Sequence, residues 1–268
     1  MSREEQVETL SRFLKEAPPG EYEDCISSSR HVIADESLIG EADNESRKFW
    51  MLKTCAHVEN NKNRVLLCEE ALKDDKYVLN PFTNSYFQFD FQNNSIIELE
   101  EPIEVEEPSL LKLAIMKVLL GFSPCIGNTG AFGVYDTPDG VKAVIRLASI
   151  QRENFQNSLL IMRFTFKDGS FDGSFSFRAH IYEKGNCAST QNWNFEGTYG
   201  GSSVEEQAQS ILKLVKEHYE KWFNQVYEGI EAIRNEGLNK LRRRLPVTKT
   251  KIEWLREIRG IGSMKKKE

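Results

Sequence analysis

The residues whose charge and spacing could do work stand near the end of the chain, in LRRRLPVTKTKIEWLREIRG, Leu241 to Gly260. From Lys240 to Glu268 eleven Lys/Arg stand against three Glu, a local +8; the formal total is −6, so the remainder carries −14. Beyond Pro246, residues Ile252, Leu255, Ile258 and Ile261 recur at helical spacing. Trp254 lies one flank over, with Lys251, Arg256 and Arg259 around the opposite side. The pattern predicts a short basic amphipathic helix, which Pro246 separates from whatever precedes it. Its chemistry is non-covalent: cations steer toward an anionic surface while an apolar stripe docks in a groove or on a membrane. The competing reading packs the stripe back onto the chain's own body.

No arrangement for covalent chemistry accompanies this tail. CIGNTGAFG, residues 125 to 133, lacks both GxGxxG and GK[ST] and reads as a loop before a strand. HExxH, GxSxG and DFG signatures do not occur. The glutamates between 98 and 107 form an unspaced run in a proline-flanked connection, which reads as solvated. Cys25, Cys55, Cys68, Cys125 and Cys187 are scattered, never in CxxC, and do not group with His31, His57, His180 or His218. They read as reduced thiols of a cytosolic protein, and no metal or cofactor is expected. His180 falls on the polar face of a strand, where a catalytic role is improbable. An acidic body also disfavours nucleic acid, whose binding requires a broad basic face.

The elements that must carry this tail read as an α+β chain. Residues 1–60 are helical: Val7, Leu10, Phe13 and Leu14 are spaced for a helix with Ser2 as N-cap and Pro18, Pro19 and Gly20 as its stop. Further helices are expected over about 22–33 and 45–57, joined by a polar connection from Asp35 to Glu45. Residues 61–125 form a β-rich stalk, with strands in RVLLC, KYVLN and SYFQFDF, and a short helix from Ser109 to Leu120. Residues 126–200 read as an antiparallel meander turning at TPDG, KDGSFDG and GN. Phe175, Phe177, Ala179 and Ile181 alternate there with Ser174, Ser176, Arg178 and His180. Residues 201–239 carry a long helix capped by Ser203 with Glu206 in a capping box. Its stripe runs Ala208, Ile211, Val215, Tyr219, Trp222, Val226, Ile230, Ile233. Roughly thirty residues span about 45 Å, whereas five strands span only about 20–25 Å. The helix is thus long enough to overhang its own sheet and cover a partner's. No secretory leader and no membrane-spanning run is read.

Two stretches carry a resemblance. LRRRLPVTKTKIEW, Leu241 to Trp254, resembles the C-terminal hallmark of the F-actin capping protein alpha subunits, and SRFLKEAPPGEY, Ser11 to Tyr22, resembles their basic-Phe segment followed by APPGEF. The segment ENFQNSLLIMRF, Glu153 to Phe164, departs from that family's NGRWRSEW-type strand, and GIGSMKKKE departs from its ending. A divergent member is implied.

The resemblance implies N-terminal helices, a β stalk, a five-stranded antiparallel sheet covered by a long helix, and a mobile C-terminal tentacle over 240–268. It implies a non-enzymatic subunit that binds the actin filament barbed end and blocks subunit addition and loss. Arg243, Lys249 and Lys251 match basic positions that contact actin, with Arg244 a weaker match. Ile252, Trp254, Leu255 and Ile258 are candidates for the apolar contact. It also implies a capping protein beta subunit as partner, phosphoinositides as inhibitors, and a place in the cytoplasm and cytoskeleton. Pairing of two copies of this chain stays open. So does a second class of function, an anionic-lipid-binding or scaffold protein using the same tail.

Overall fold

The computed structural model describes residues 2–97, 99, 102–122, 130–151, 153, 155–182 and 187–232. They group into one unit spanning Met1–Leu214 and a second that begins at Val215.

The first unit opens with three helices. In α1 (Arg3–Lys15) Ser2 is the N-cap, as expected: its hydroxyl accepts from the Glu5 amide, and the Glu5 carboxylate accepts from the Ser2 amide, which completes a capping box the sequence reading did not name. Its buried stripe, Val7, Leu10 and Leu14, packs with Tyr22 and Ile26 of α2 (Tyr22–Val32) and with Leu38, Ile39 and Ala42 of α3 (Glu36–Lys53). Helix α3 corrects the sequence reading, because the segment taken as a polar connection is helical from Glu36. Asp35 caps it, accepting from the amides of Ser37 at 3.0 Å and Leu38 at 3.2 Å. Leu38, Ile39, Ala42 and Ser46 then bury one narrow face beneath an otherwise charged surface. Trp50 ends the bundle: its indole N–H donates to the Ala17 carbonyl at 2.9 Å and its ring lies 4.9 Å from that of Tyr22.

The stalk follows. Strands β1 (His57–Asn60) and β2 (Asn63–Leu66) form a hairpin whose turn residues, Asn61 and Lys62, both have positive φ, 50° and 66°. A four-stranded antiparallel meander comes next: β3 (Leu72–Lys73), β4 (Tyr77–Asn80), β5 (Ser85–Asp90) and β6 (Ser95–Ile97). The hydrophobic pattern located β2, β4 and β5. It missed β1, β3 and β6, which are polar or at most three residues long and show no period. Helix α4 (Leu110–Leu119) is capped by Ser109, which Asp136 holds through both its amide (3.0 Å) and its hydroxyl (2.5 Å).

Strands β7 (Gly130–Thr137), β8 (Gly140–Gln151), β9 (Gln156–Lys167), β10 (Ser170–Ile181) and β11 (Cys187–Thr198) make one antiparallel sheet in the order β11-β10-β9-β8-β7. The turn between β9 and β10 is two residues, Asp168 (φ 48°) and Gly169 (φ 80°), not the longer loop expected, because Phe171 already pairs with Phe166. Register assigns the faces. Ala131, Tyr135, Val144, Ala148, Leu159 and Ile161 share one face and pack against the stalk core of Val65, Leu66, Val78 and Phe89. Phe164, Phe166, Phe171, Phe175, Phe195 and Tyr199 gather on the other as a lattice of rings 4.8–6.3 Å apart. The half-polar alternation read in β10 holds as far as Phe175 and reverses at the strand's end, where His180 is buried and Ile181 exposed.

Candidate functional site

The long helix comes where the stripe placed it. Helix α5 runs Val204–Ala232, 29 residues, with Ala208 and Ile211 fully buried in the first unit. The Ser203 hydroxyl accepts from the Glu206 amide at 3.2 Å, as expected. The Glu206 carboxylate, however, turns to the amide and hydroxyl of Ser202, at 2.8 and 2.6 Å, which holds its pKa below the usual glutamate value. The return bond of the capping box is therefore made one residue earlier than expected. Every residue assigned to the contact from sequence (Arg243, Arg244, Lys249, Lys251, Ile252, Trp254, Leu255 and Ile258) lies outside the described residues, as does Ile233 of the stripe.

The described body offers a second surface. Strand β7 is flanked by β2 and α4, and Arg64 Nη1 donates to the Gly130 carbonyl at 3.1 Å. Strand β11 has β10 on one side and, among the described residues, no strand on the other. It is twelve residues long and reads CASTQNWNFEGT, without lysine, proline or any interruption of its pairing to β10. Those are the devices by which sheet edges ordinarily avoid pairing with another chain. Trp193 and Phe195 are half-buried on the aromatic face, while Asn192, Asn194 and Glu196 are exposed on the other. Among the described residues nothing in this strand blocks the addition of another.

Three buried polar clusters tie the parts together. Glu21 accepts from Asn157 Nδ2 at 2.6 Å and meets His180 Nδ1 at 2.7 Å, fastening the start of α2 to β9 and β10. Arg163 of β9 bonds Glu70 at 3.1 Å and lies 3.2 Å from Cys55 Sγ, whose thiol burial pushes up to about 11. This pair lines a polar groove of about 590 Å³ with Lys142, Asp172, Asn194 and Glu196, on the stalk side of the sheet. Arg146 of β8 reaches Thr54 and His57. The sequence singled out none of these as functional. The available signal was a charge at an inward strand position, as in VKAVIRLASI. Cys25, Cys55 and Cys68 are free thiols, and among the described residues no three His, Cys, Asp or Glu side chains stand together to hold a metal ion. No described helix is long and apolar enough to cross a membrane.

The model of the F-actin capping protein alpha subunit matches residues 10–264, nearly the whole chain and all of the tail's hallmark. The chain belongs to the F-actin capping protein alpha subunit family. Relatives include the F-actin-capping protein subunit alpha of Yarrowia lipolytica, 25% identical over 262 residues, 96% of this chain and 94% of that one. Subunit alpha-3 of Mus musculus is also 25% identical, over 96% of this chain and 89% of its own. A solved homodimeric actin capping protein alpha subunit from Plasmodium berghei has the same fold. It superposes with a TM-score of 0.69 at 14% identity, covering 91% of this chain and 98% of its own. Identities of this order make the chain a divergent member of the alpha family, as its altered β9 segment and ending suggested.

Proposed function

We propose that this chain is a subunit of an actin filament capping protein, which occupies the barbed end and blocks addition and loss of actin subunits. The observation that carries this reading is a family match that runs unbroken from the N-terminal helices through the tail. Binding is assigned to the tail. Arg243, Lys249 and Lys251, with Arg244 beside them, steer it toward the acidic end of the filament, and Ile252, Trp254, Leu255 and Ile258 dock in a groove. Such a role needs neither a cofactor nor a reactive site.

The open edge of β11 supports a paired state, because an uncovered strand of this length with few charges is a standing template for a partner strand. The partner is a capping protein beta subunit or a second copy of this chain. Either would extend the five strands into ten. Phosphoinositides, which carry several negative charges, would compete for the same cations. The working place is the cytoplasmic actin cytoskeleton. The test is pyrene-actin elongation from spectrin–actin seeds with rising concentrations of the chain, alone and with a beta subunit. Capping lowers barbed-end elongation at substoichiometric concentration; elongation unchanged in both arms refutes the function.

A further inference from the structure

Arg146 is a buried cation that no described carboxylate neutralises. It stands mid-strand in β8, on the face that meets the stalk, and is 8% exposed. Its Nε donates to the Thr54 carbonyl at 3.2 Å, and its Nη1 lies 3.5 Å from His57 Nδ1. Among the described residues its Nη2 has no partner. A guanidinium stays protonated wherever it is placed, so the usual escape of a buried charge is closed to it. Its neighbours do not supply the missing charge. Cys55 is a neutral thiol, and His57, pushed down by burial and by Arg146 and Arg64, is a neutral imidazole near pH 7. Thr54 is the C-cap of α3, so the helix end contributes about half a negative charge.

The guanidinium borders a pocket of about 250 Å³ at the junction of the helices, the stalk and the sheet. Pro19, Trp50, Met51 and Ile150 give it apolar walls. Arg47 also lines it, but that guanidinium is held by Asp43 at 2.9 and 3.0 Å and by Glu23 at 2.5 Å. The pocket therefore meets the outer edge of the guanidinium, where the unpartnered Nη2 stands beside Nη1 with its one long approach to His57, and it has apolar walls and room for a body somewhat larger than benzene, which fills a cavity of about 150 Å³.

We propose that this pocket binds a small organic monocarboxylate, its two oxygens on Arg146 and its apolar body against Trp50, Met51 and Ile150. Carboxylate geometry matches the guanidinium fork, and one negative charge balances the one unpaired cation. A phosphate dianion would overcharge a site whose lining already holds Glu23. Because α3, β1 and β8 all border the pocket, an occupant would brace the helices against the sheet.

Sodium benzoate serves as the probe on the full-length chain, followed by saturation-transfer NMR and thermal melting, beside neutral benzamide and inorganic phosphate. The expected result is saturable benzoate binding with a raised melting temperature, and neither effect from benzamide or phosphate. Arg146→Met should weaken benzoate at least tenfold and abolish the melting shift. No saturable benzoate binding, or equal affinity for benzamide or phosphate, overturns the proposal. So does benzoate binding unchanged in Arg146→Met. Should that variant fail to fold, Arg146→Lys keeps the charge and loses the fork; benzoate affinity within threefold of the parent there overturns it equally.

Discussion

A proline at Asn192 tests whether the β11 edge is where a partner joins. The Tyr199 amide donates inward to the Gly169 carbonyl at 2.8 Å, beside the Phe171–Gly197 pair. With a two-residue period, Gly197, Phe195, Trp193 and Gln191 also turn their amides to β10, and Glu196, Asn194, Asn192 and Thr190 turn theirs outward. Asn192→Pro therefore removes an outward donor and leaves the internal ladder whole. When a partner strand docks, each proline leaves a buried acceptor unmet, at about 1–3 kcal/mol. Two copies of this chain meet with two prolines, so the dissociation constant should rise about 30- to 20,000-fold. Pairing with a beta subunit meets only one, for about a 5- to 150-fold rise. Sedimentation equilibrium of the chain, alone and with a beta subunit, reads both numbers. Gln191→Pro is the contrast: it deletes an amide already bonded to β10 and should collapse the circular dichroism signal itself. Asn192→Pro with unchanged association would refute β11 as the pairing edge.

Deleting residues 240–268 should abolish capping in seeded assembly while leaving the melting transition and the subunit pairing unchanged. Within the tail, reversing Arg243, Lys249 and Lys251 should mainly slow association and flatten its salt dependence. Leu255→Ala with Ile258→Ala should mainly speed dissociation. The Asp35 carboxyl is held below its usual pKa by the Ser37 hydroxyl first and then by the Leu38 amide. The folded state thus binds fewer protons there than the unfolded chain. Its contribution is present above about pH 4 and is lost as pH falls through the lowered value, so Asp35→Asn should flatten the acid limb of a melting-temperature profile between pH 2.5 and 6. At Gly173 an added methyl would overlap the Phe195 ring, its cross-strand neighbour. Gly173→Ala should cost about 1–3 kcal/mol in urea unfolding, and a cost near zero would mean that the ring is free to swing away.

How far the sequence could be read depended on whether an element carries its own signature. Helix α5 declared itself, because Ala208 to Trp222 keep one stripe and Ser203 caps it. The meander did too, since Phe175 and Phe177 alternate with serines over a full strand. Helix α3 did not: its inward residues from Leu38 to Ser46 are few and include a serine, and Glu41, Asp43, Asn44 and Glu45 sit where a periodic run would have shown. The short stalk strands were hidden because two or three residues have no period, and their partners lie across turns that local pattern does not specify. For the proposed tail contact, Arg243 to Ile258 were assigned because charge and helical spacing coincide in one short run, and they lie outside the described residues. The Arg146 pocket was not, because Trp50, His57 and Ile150 are brought together from a helix, a hairpin and a sheet.

Among the described residues β11 has no strand beyond it, whereas β7 lies beside β2 and α4. Pairing of like edges at β11 is self-terminating, because the two strands that meet occupy each other's edge and neither is left to propagate a fibre. The same fact makes partners rivals. A second copy and a beta subunit would claim a single seat, and neither can hold it while the other does. Stoichiometry then acts as a selector. Each added equivalent of beta subunit would convert self-paired chain into mixed pairs, with the ratio of the two gene products setting which species reaches the filament.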